Sequence, residues 1–343
     1  MTEPYIHRIS VVIPVYQGER TLDAVIEELR PLTEGFRSPG GRAAQVGEVI
    51  LTYDRGPDRS DTVIRRLAET HSWIVPVWLS RNFGQHAATL AGMASSGGEW
   101  IVTMDEDGQH DPRDIGGLLD AALDAQADLV YANPVNRPPH GAVRNTASRA
   151  SKRILETVFS GGRATDFNSF RLVLGEIGRS VAAYAGHGVY LDVALSWIAA
   201  RTATADVRLR QEGERRSGYS YRRLFGHFWS MVLTSGTRGL RLVTYAGTTV
   251  FVAGLLYAIY LVIARSAGVV QEPGWTSLMV VLLLGLGLVL MALGIIAEYL
   301  GVAVSTALGK PSYLIVRDPA TGPLAKAAPV APAAPRDGSA AAS

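Results

Sequence analysis

Leu242–Ala264 (LVTYAGTTVFVAGLLYAIYLVIA) and Trp275–Ala297 (WTSLMVVLLLGLGLVLMALGIIA) are each 23 residues long and carry no charge. No other feature of the chain restricts its fold so strongly. As helices they reach roughly 35 Å, enough to cross a hydrocarbon core of about 30 Å with some tilt. The alternative is a buried helix of a soluble domain, which rarely runs this long without a charge. The ten residues between them, Arg265–Gly274, contain Gly268, Pro273 and Gly274 and read as a tight hairpin loop. Tyr245 and Trp275 lie near span ends, as interfacial aromatics do. These spans account for a charged fraction of 19% and a mean hydropathy of +0.14.

Flanking cations give the topology. Arg222, Arg223, Arg238 and Arg241 precede the first span, and Lys310 and Arg317 follow the second. The hairpin loop offers Arg265, offset by Glu272. Positive residues stay inside, so the large N-terminal region and the C-terminal tail are expected on the cytoplasmic side of the inner or plasma membrane. The first apolar run, Ile9–Tyr16, is short and interrupted by Pro14, and reads as a strand rather than a signal peptide. Ahead of the first span, Leu224, Phe225, Phe228, Trp229 and Val232 fall on one helical face, with Arg222, Arg223 and His227 on others. Residues 220–241 are therefore expected to form a juxtamembrane amphipathic helix in the headgroup plane. Packing on the soluble region is the alternative. Residues 298–319 read as a cytoplasmic segment with a strand-like Tyr313–Val316, and 320–343, rich in Ala and Pro, as a disordered tail. Gly285 and Gly287 in the second span permit close helix packing, which leaves a homo-oligomer open.

Charge and cysteine content exclude several classes. With 33 Lys+Arg against 31 Asp+Glu, the chain lacks the basic excess of a nucleic-acid binder. It has no cysteine, which removes disulfides, thiolate metal sites and a cysteine nucleophile.

Residues 6–200 alternate between strand-like and helix-like patterns. Ile9–Val15, Glu48–Tyr53, Trp73–Leu79 and Trp100–Met104 read as strands. Leu22, Val25, Ile26 and Leu29 follow Thr21, a natural N-cap, at helical spacing. Val63, Ile64, Leu67 and Ala68 do the same after Ser60 and Asp61, and an Ala-rich helical stretch precedes Trp100. This is the pattern of βαβ units and a largely parallel sheet. Ligands bind such sheets at the carboxyl ends of the strands. Directly after one strand lies Asp105-Glu106-Asp107-Gly108-Gln109. In extended backbone residues i and i+2 point the same way, so Asp105 and Asp107 can converge on Mg²⁺ or Mn²⁺, and Gln109 can add an oxygen. An acidic, solvated loop is the bland alternative, since D-x-D alone is common. The chain has no G-x-G-x-x-G after its first strand, no G-x-x-x-x-G-K-[ST] loop and no H-E-x-x-H. A nucleoside diphosphate must then be held by metal and side chains rather than by a glycine cradle.

Together the segments Val11–Tyr16 with Glu19, Asp54 with Asp58 and Ser60, Leu79–Gly84, Asp105–Gln109, Ser169–Leu172, Ser217–Ser220 and Glu298–Gly301 resemble the family 2 glycosyltransferases of the GT-A fold. The resemblance is to the membrane-anchored polyprenyl-phosphate branch, which includes dolichyl-phosphate mannose synthase and bacterial undecaprenyl-phosphate enzymes. It covers about residues 8–317. It implies an α/β fold in which a Rossmann-like GT-A catalytic domain over residues 1–219 precedes the interfacial helix and a transmembrane hairpin over 242–297. It also implies roles. Pro14, Tyr16, Glu19 and Asp54 would line the base and ribose pocket. Arg81 and Glu106 would serve the donor, and Asp105, Asp107 and Gln109 the metal. Arg171 would take part in catalysis beside Asp105 and Asp107. Arg144, Arg149, Arg210, Arg215 and Arg216, with Ser217 and Tyr219, would bind the acceptor phosphate, for which arginine is suited by its fork geometry.

The implied reaction moves one sugar from a nucleotide-sugar donor to a polyprenyl phosphate, with inversion. Four departures stand out. Tyr53 replaces the first of two usual aspartates, and Arg55-Gly56 replaces a usual Gly-Ser. Pro134, with Arg137 nearby, stands for an arginine, and Asn168-Ser169 stands for a Gly-Asp whose acid is a candidate base in relatives. A non-catalytic membrane scaffold with a degenerate nucleotide-binding domain, and a processive polysaccharide synthase, are the rival readings. Two spans and the absence of a Q-x-x-R-W box disfavour the latter.

Overall fold

The computed structural model describes residues 5–136, 168–186, 189–210, 247–249 and 274–322, and between 252 and 263 residues 252, 254, 256, 257, 259, 260 and 263. The expected helix over 220–241, most of the first span and the tail beyond 322 lie outside the described residues.

The strands are β1 (His7–Val15), β2 (Phe36–Arg37), β3 (Ala43–Tyr53), β4 (Ile74–Leu79), β5 (Trp100–Thr103), β6 (Leu129–Pro134), β7 (Arg171–Leu174), β8 (Thr202–Val207) and β9 (Ile315–Val316). They form one sheet of order β8-β6-β7-β5-β1-β3-β4-β9, with β2 paired to β3. β1 is central, with parallel neighbours on both sides. Both of its faces are covered, so Ile9, Val11, Val12, Ile13 and Val15 are all fully buried and the strand reads as an unbroken apolar run. Helices α1 (Leu22–Thr33), α2 (Ser60–Thr70), α3 (Gln85–Ala94) and α4 (Ile115–Ala125) follow successive strands, as the periodicity predicts. Thr21 does occupy the N-cap of α1, but its side chain makes no cap bond; the Gly18 carbonyl accepts the N–H groups of Thr21 and Leu22 instead.

The sheet is more mixed than the alternating pattern predicts. β7 runs antiparallel to both β5 and β6. An antiparallel strand begins where its parallel neighbours end, so the residues just before β7 meet the loop just after β5. The register pairs Arg171 with Thr103. Helices α5 (Gly175–Tyr184) and α6 (Leu191–Ile198) complete the cover of this half.

The last helix, α7 (Trp275–Ala307), has 33 residues and continues ten beyond the expected span end at Ala297. Its segment Gly285–Val304 is long and apolar enough to cross a membrane, and none of it is buried against protein. After α7 the chain returns to the sheet, where β9 pairs antiparallel with the end of β4. The strand-like Tyr313–Val316 of the expected C-terminal segment thus contributes to the sheet. Ser80 N–H donates to the Leu314 carbonyl at 3.0 Å. Arg65 donates to both oxygens of Asp318, at 2.7 and 2.9 Å.

Candidate active site

The carboxyl ends of β1, β3, β4 and β5, with the start of β7, bring the expected donor and metal residues together. The loop after β5 carries Asp105, Glu106, Asp107 and Gln109, all half-buried. Gly108 turns it with φ +75°, in the left-handed region that favours glycine. The turn folds Gln109 back: its backbone N–H donates to Asp107 Oδ1 at 3.0 Å and its Nε2 to Oδ2 at 2.9 Å. Asp105 is held at three points. Its N–H donates to His110 Nδ1 at 3.1 Å, Gln85 Nε2 donates to Oδ1 at 2.6 Å, and Ser169 Oγ donates to Oδ2 at 2.6 Å. His110 is itself fixed by stacking on Phe170, with ring centroids 4.8 Å apart.

Glu106 faces the loop after β1, where it accepts from the backbone N–H groups of Tyr16 at 3.0 Å and Gln17 at 2.9 Å. The same loop is tied to the start of α2. Gly18 N–H donates to Ser60 Oγ at 2.8 Å, Glu19 N–H to Asp58 Oδ2 at 3.1 Å, and Arg59 N–H to Glu19 Oε2 at 3.1 Å. Tyr16 is exposed, and Pro14 is buried in β1 opposite Thr52. A Cβ on Gly56 would lie 1.5 Å from the Tyr16 carbonyl oxygen, so the two loops touch in a way that requires glycine.

Asp54 is 3% exposed, and its two oxygens accept from Phe83 N–H at 2.7 Å and Gly84 N–H at 2.8 Å. Burial pushes its carboxyl up, against those two bonds and the Arg81 charge. The carboxylate thus pins the Ser80–Gly84 loop. Arg81, in that loop, is exposed and lies 4.0 Å over the Phe83 ring. Tyr53, which departs from the pair of acids that the resemblance implies, donates its hydroxyl to the Gly56 carbonyl at 3.0 Å. Arg55 keeps a positive φ of 53° and donates Nε to the Leu79 carbonyl at 3.0 Å.

Two arginines have partners that the sequence did not reveal. Arg171 is buried, ion-paired with Asp192 of α6, and stands 5.7 Å over the Tyr131 ring. Tyr131 donates its hydroxyl to Asp192 at 3.0 Å. Burial opposes the Arg171 charge, but Asp192 facing it, with Tyr131, Tyr190 and Asp105 around it, holds its pKa up. Expected to take part in catalysis, Arg171 is instead buried behind the acidic loop with its charge answered by Asp192. Arg210 bridges Glu28 at 2.7 Å and Asp111 at 2.8 Å, and its N–H donates to the Gln109 carbonyl at 3.0 Å. It clamps the acidic loop from outside. Arg144, Arg149, Arg215, Arg216, Ser217 and Tyr219, named for the acceptor phosphate, lie outside the described residues, as does Arg137.

Sequence reasoning missed Gln85, His110 and the contact of Ser169 with Asp105. His110 had a signal, since it closes the acidic box; Gln85 and Ser169 are brought in by α3 and β7 from far away in the chain. Among the described residues no three His, Asp or Glu side chains gather as a metal site. The donor set is two carboxylates and an amide, which fits a hard divalent cation whose other ligands are phosphates.

An α/β sheet with an acidic loop at the end of its fourth chain-order parallel strand, facing loops held rigid by Asp54, Glu106 and Asp58, defines a GT-A-like glycosyltransferase. The model of the family described as glycosyl transferase family 2 matches residues 10–180. The undecaprenyl-phosphate 4-deoxy-4-formamido-L-arabinose transferase of Pseudomonas paraeruginosa is 30% identical over 324 residues, 92% of this chain and 91% of its own. The protein of the same name from Klebsiella pneumoniae is 28% identical over 341 residues, 94% of this chain and 97% of its own. Among solved structures, mannosyl-3-phosphoglycerate synthase of Rubrobacter xylanophilus aligns with a TM-score of 0.47 at 14% identity, covering 69% of this chain and 74% of that one. The chain belongs to glycosyl transferase family 2, and it is a glycosyltransferase.

Proposed function

We propose that this chain transfers a single sugar from a nucleotide-sugar donor to undecaprenyl phosphate or a similar polyprenyl phosphate, at the cytoplasmic face of the membrane, with a divalent metal and with inversion. One observation carries the reading. An acidic loop suited to a metal-bound diphosphate sits at the carboxyl edge of a sheet whose last strand, β9, begins eight residues after the exposed apolar helix α7 ends. The full-length relatives named for undecaprenyl phosphate support the acceptor class. The paired 23-residue segments Leu242–Ala264 and Trp275–Ala297, with cations flanking them, support two spans and a cytoplasmic catalytic domain.

In this mechanism an acceptor phosphate oxygen bonds to the anomeric carbon as the bond to the donor's diphosphate breaks from the opposite side. The acceptor is a phosphate monoester, largely dianionic at neutral pH, and needs positioning rather than a strong base. Asp105, Asp107 and Gln109 would hold a divalent ion, which when bound would supply charge neutralisation on the departing nucleoside diphosphate. The protein's own contribution is preorganisation. Glu106, Asp58 and Ser60 hold the β1–α1 loop, Asp54 holds the Ser80–Gly84 loop, and the buried Arg171–Asp192 pair fixes the start of β7 next to Asp105.

The test is full-length protein in liposomes with undecaprenyl phosphate, Mg²⁺ or Mn²⁺ and a panel of nucleotide sugars, 4-deoxy-4-formamido-L-arabinose donors included, with lipid products read by mass. One added sugar, lost with EDTA, is expected. A ladder of additions points to a polymerase, and no lipid product with any donor overturns the acceptor class.

A further inference from the structure

We infer that Ser169 is a positioning residue for metal binding, its hydroxyl holding Asp105 in register. The inference rests on the metal reading above. Ser169 Oγ lies 2.6 Å from Asp105 Oδ2, and Gln85 Nε2 lies 2.6 Å from Oδ1. One donor on each oxygen fixes the plane of the carboxylate. An ionised carboxylate has about four lone-pair sites, so each oxygen keeps one for a cation. Groups that orient a metal-ligating carboxylate in this way commonly set the affinity of the site.

The serine is itself built in. Its carbonyl accepts from Thr103 Oγ1 at 2.5 Å, on the strand that delivers Asp105. Its neighbour Asn168 donates Nδ2 to the Ala132 carbonyl at 2.9 Å and accepts from Phe170 N–H at 3.1 Å. Phe170 is fully buried and stacks on His110, which receives the Asp105 N–H. The turn 168–170 therefore grips Asp105 through both its side chain and its backbone. The chemical sense of the substitution also follows. An ionised aspartate at 169 accepts only, and would set a second negative charge against Asp105, whereas serine donates. Asn168-Ser169 thus supplies a donor to Asp105 where an acid would repel it.

The experiment measures binding of Mn²⁺ alone to the full-length protein, counting free Mn²⁺ by electron paramagnetic resonance. S169A is expected to raise the Mn²⁺ dissociation constant about tenfold, and S169T to restore it. Thermal midpoints of both variants show that the fold is kept. D105A gives the reference for a lost site. Unchanged Mn²⁺ affinity in S169A, where D105A loses it, overturns the role of Ser169 and leaves the metal site standing. A wild-type protein that binds no Mn²⁺, or a D105A that binds it normally, overturns the metal reading and this inference with it.

Discussion

Single residues hold this site together through contacts of backbone with buried charge. Asp54 spans the gap between β3 and the Ser80–Gly84 loop, with both oxygens occupied by N–H groups. Changing it to asparagine turns one acceptor into a donor facing a donor, in a position 3% exposed to solvent. Asp54→Asn should therefore lower stability by about 2 kcal/mol, seen as an earlier denaturant midpoint with an unchanged slope. Asp54→Ala, which leaves both N–H groups without a partner, should cost at least as much. Gly56 makes the second such demand, for space. A methyl group there meets the Tyr16 carbonyl at 1.5 Å, so the β1–α1 loop must move. Gly56→Ala should weaken donor binding more than it slows turnover at saturating donor, because the displaced loop carries Tyr16 while Asp105 and Asp107 stay in place. Equal effects on KM and kcat would show that the loop reaches the chemistry as well.

At the scale of elements, the carboxy-terminal strand is the least expected support of the site. β9 extends the sheet at β4, and the Leu314 carbonyl accepts from Ser80 at the root of the Arg81 loop. Arg65 fastens the strand, ion-paired with Asp318 and 4.9 Å over the Trp78 ring. The Arg65 guanidinium holds the Asp318 carboxyl below the usual aspartate range. A depressed folded value means that the contribution is complete above the ordinary pKa of about 4 and is lost as pH falls through the folded one. Asp318→Ala should thus lower stability at neutral pH by about 1 kcal/mol, with the difference from wild type closing in acid. Hydrogen exchange at the Ser80 amide should quicken in the same variant. The strand pattern of Tyr313–Val316 was legible from the sequence, but its partner was not, because pairing across more than 200 residues leaves no local trace. The same holds for β7. Alternation of strands and helices reads out β1, β3, β4 and β5 and the acidic loop after them, since each depends on local period; the two-residue β2 is too short to show one. It says nothing of strand direction, and the direction of β7 is what sets Ser169 against Asp105 and buries Arg171. Arg171 and Arg210 were recognisable as charges; only the fold reveals that Asp192, Glu28 and Asp111 answer them.

For the whole molecule, if α7 spans the membrane as proposed, the question is how the sheet would stand over the lipid, and α7 gives the ruler. Its 33 residues make a rod of about 50 Å, longer than a hydrocarbon core of about 30 Å, so part of it must project. Two registers are available. Trp275–Ala297 carries no charge and ends just before Glu298, whereas the apolar window Gly285–Val304 takes Glu298 into the membrane. A carboxylate some 9 Å inside the lipid boundary is costly without a partner. The charge-free register leaves ten residues, 298–307, as a stalk of about 15 Å on the side of the catalytic domain. From its end to β9 the chain has seven residues, a reach of no more than about 29 Å, and β9 joins the sheet at the carboxyl end of β4, on the edge that bears the acidic loop. With the proposed anchoring, that edge would be held near the lipid headgroups, where a polyprenyl phosphate would present itself. The chain has no cysteine, so single cysteines report without background. In inside-out vesicles, Glu298→Cys and Leu308→Cys should react with an impermeant maleimide and Leu286→Cys should not, while Gly274→Cys should react only when the opposite face is exposed. Protection of Glu298→Cys together with reaction of Leu278→Cys from that opposite face would fix the deeper register, draw the site closer to the membrane by several residues of helix, and leave Glu298 in need of a partner within the lipid.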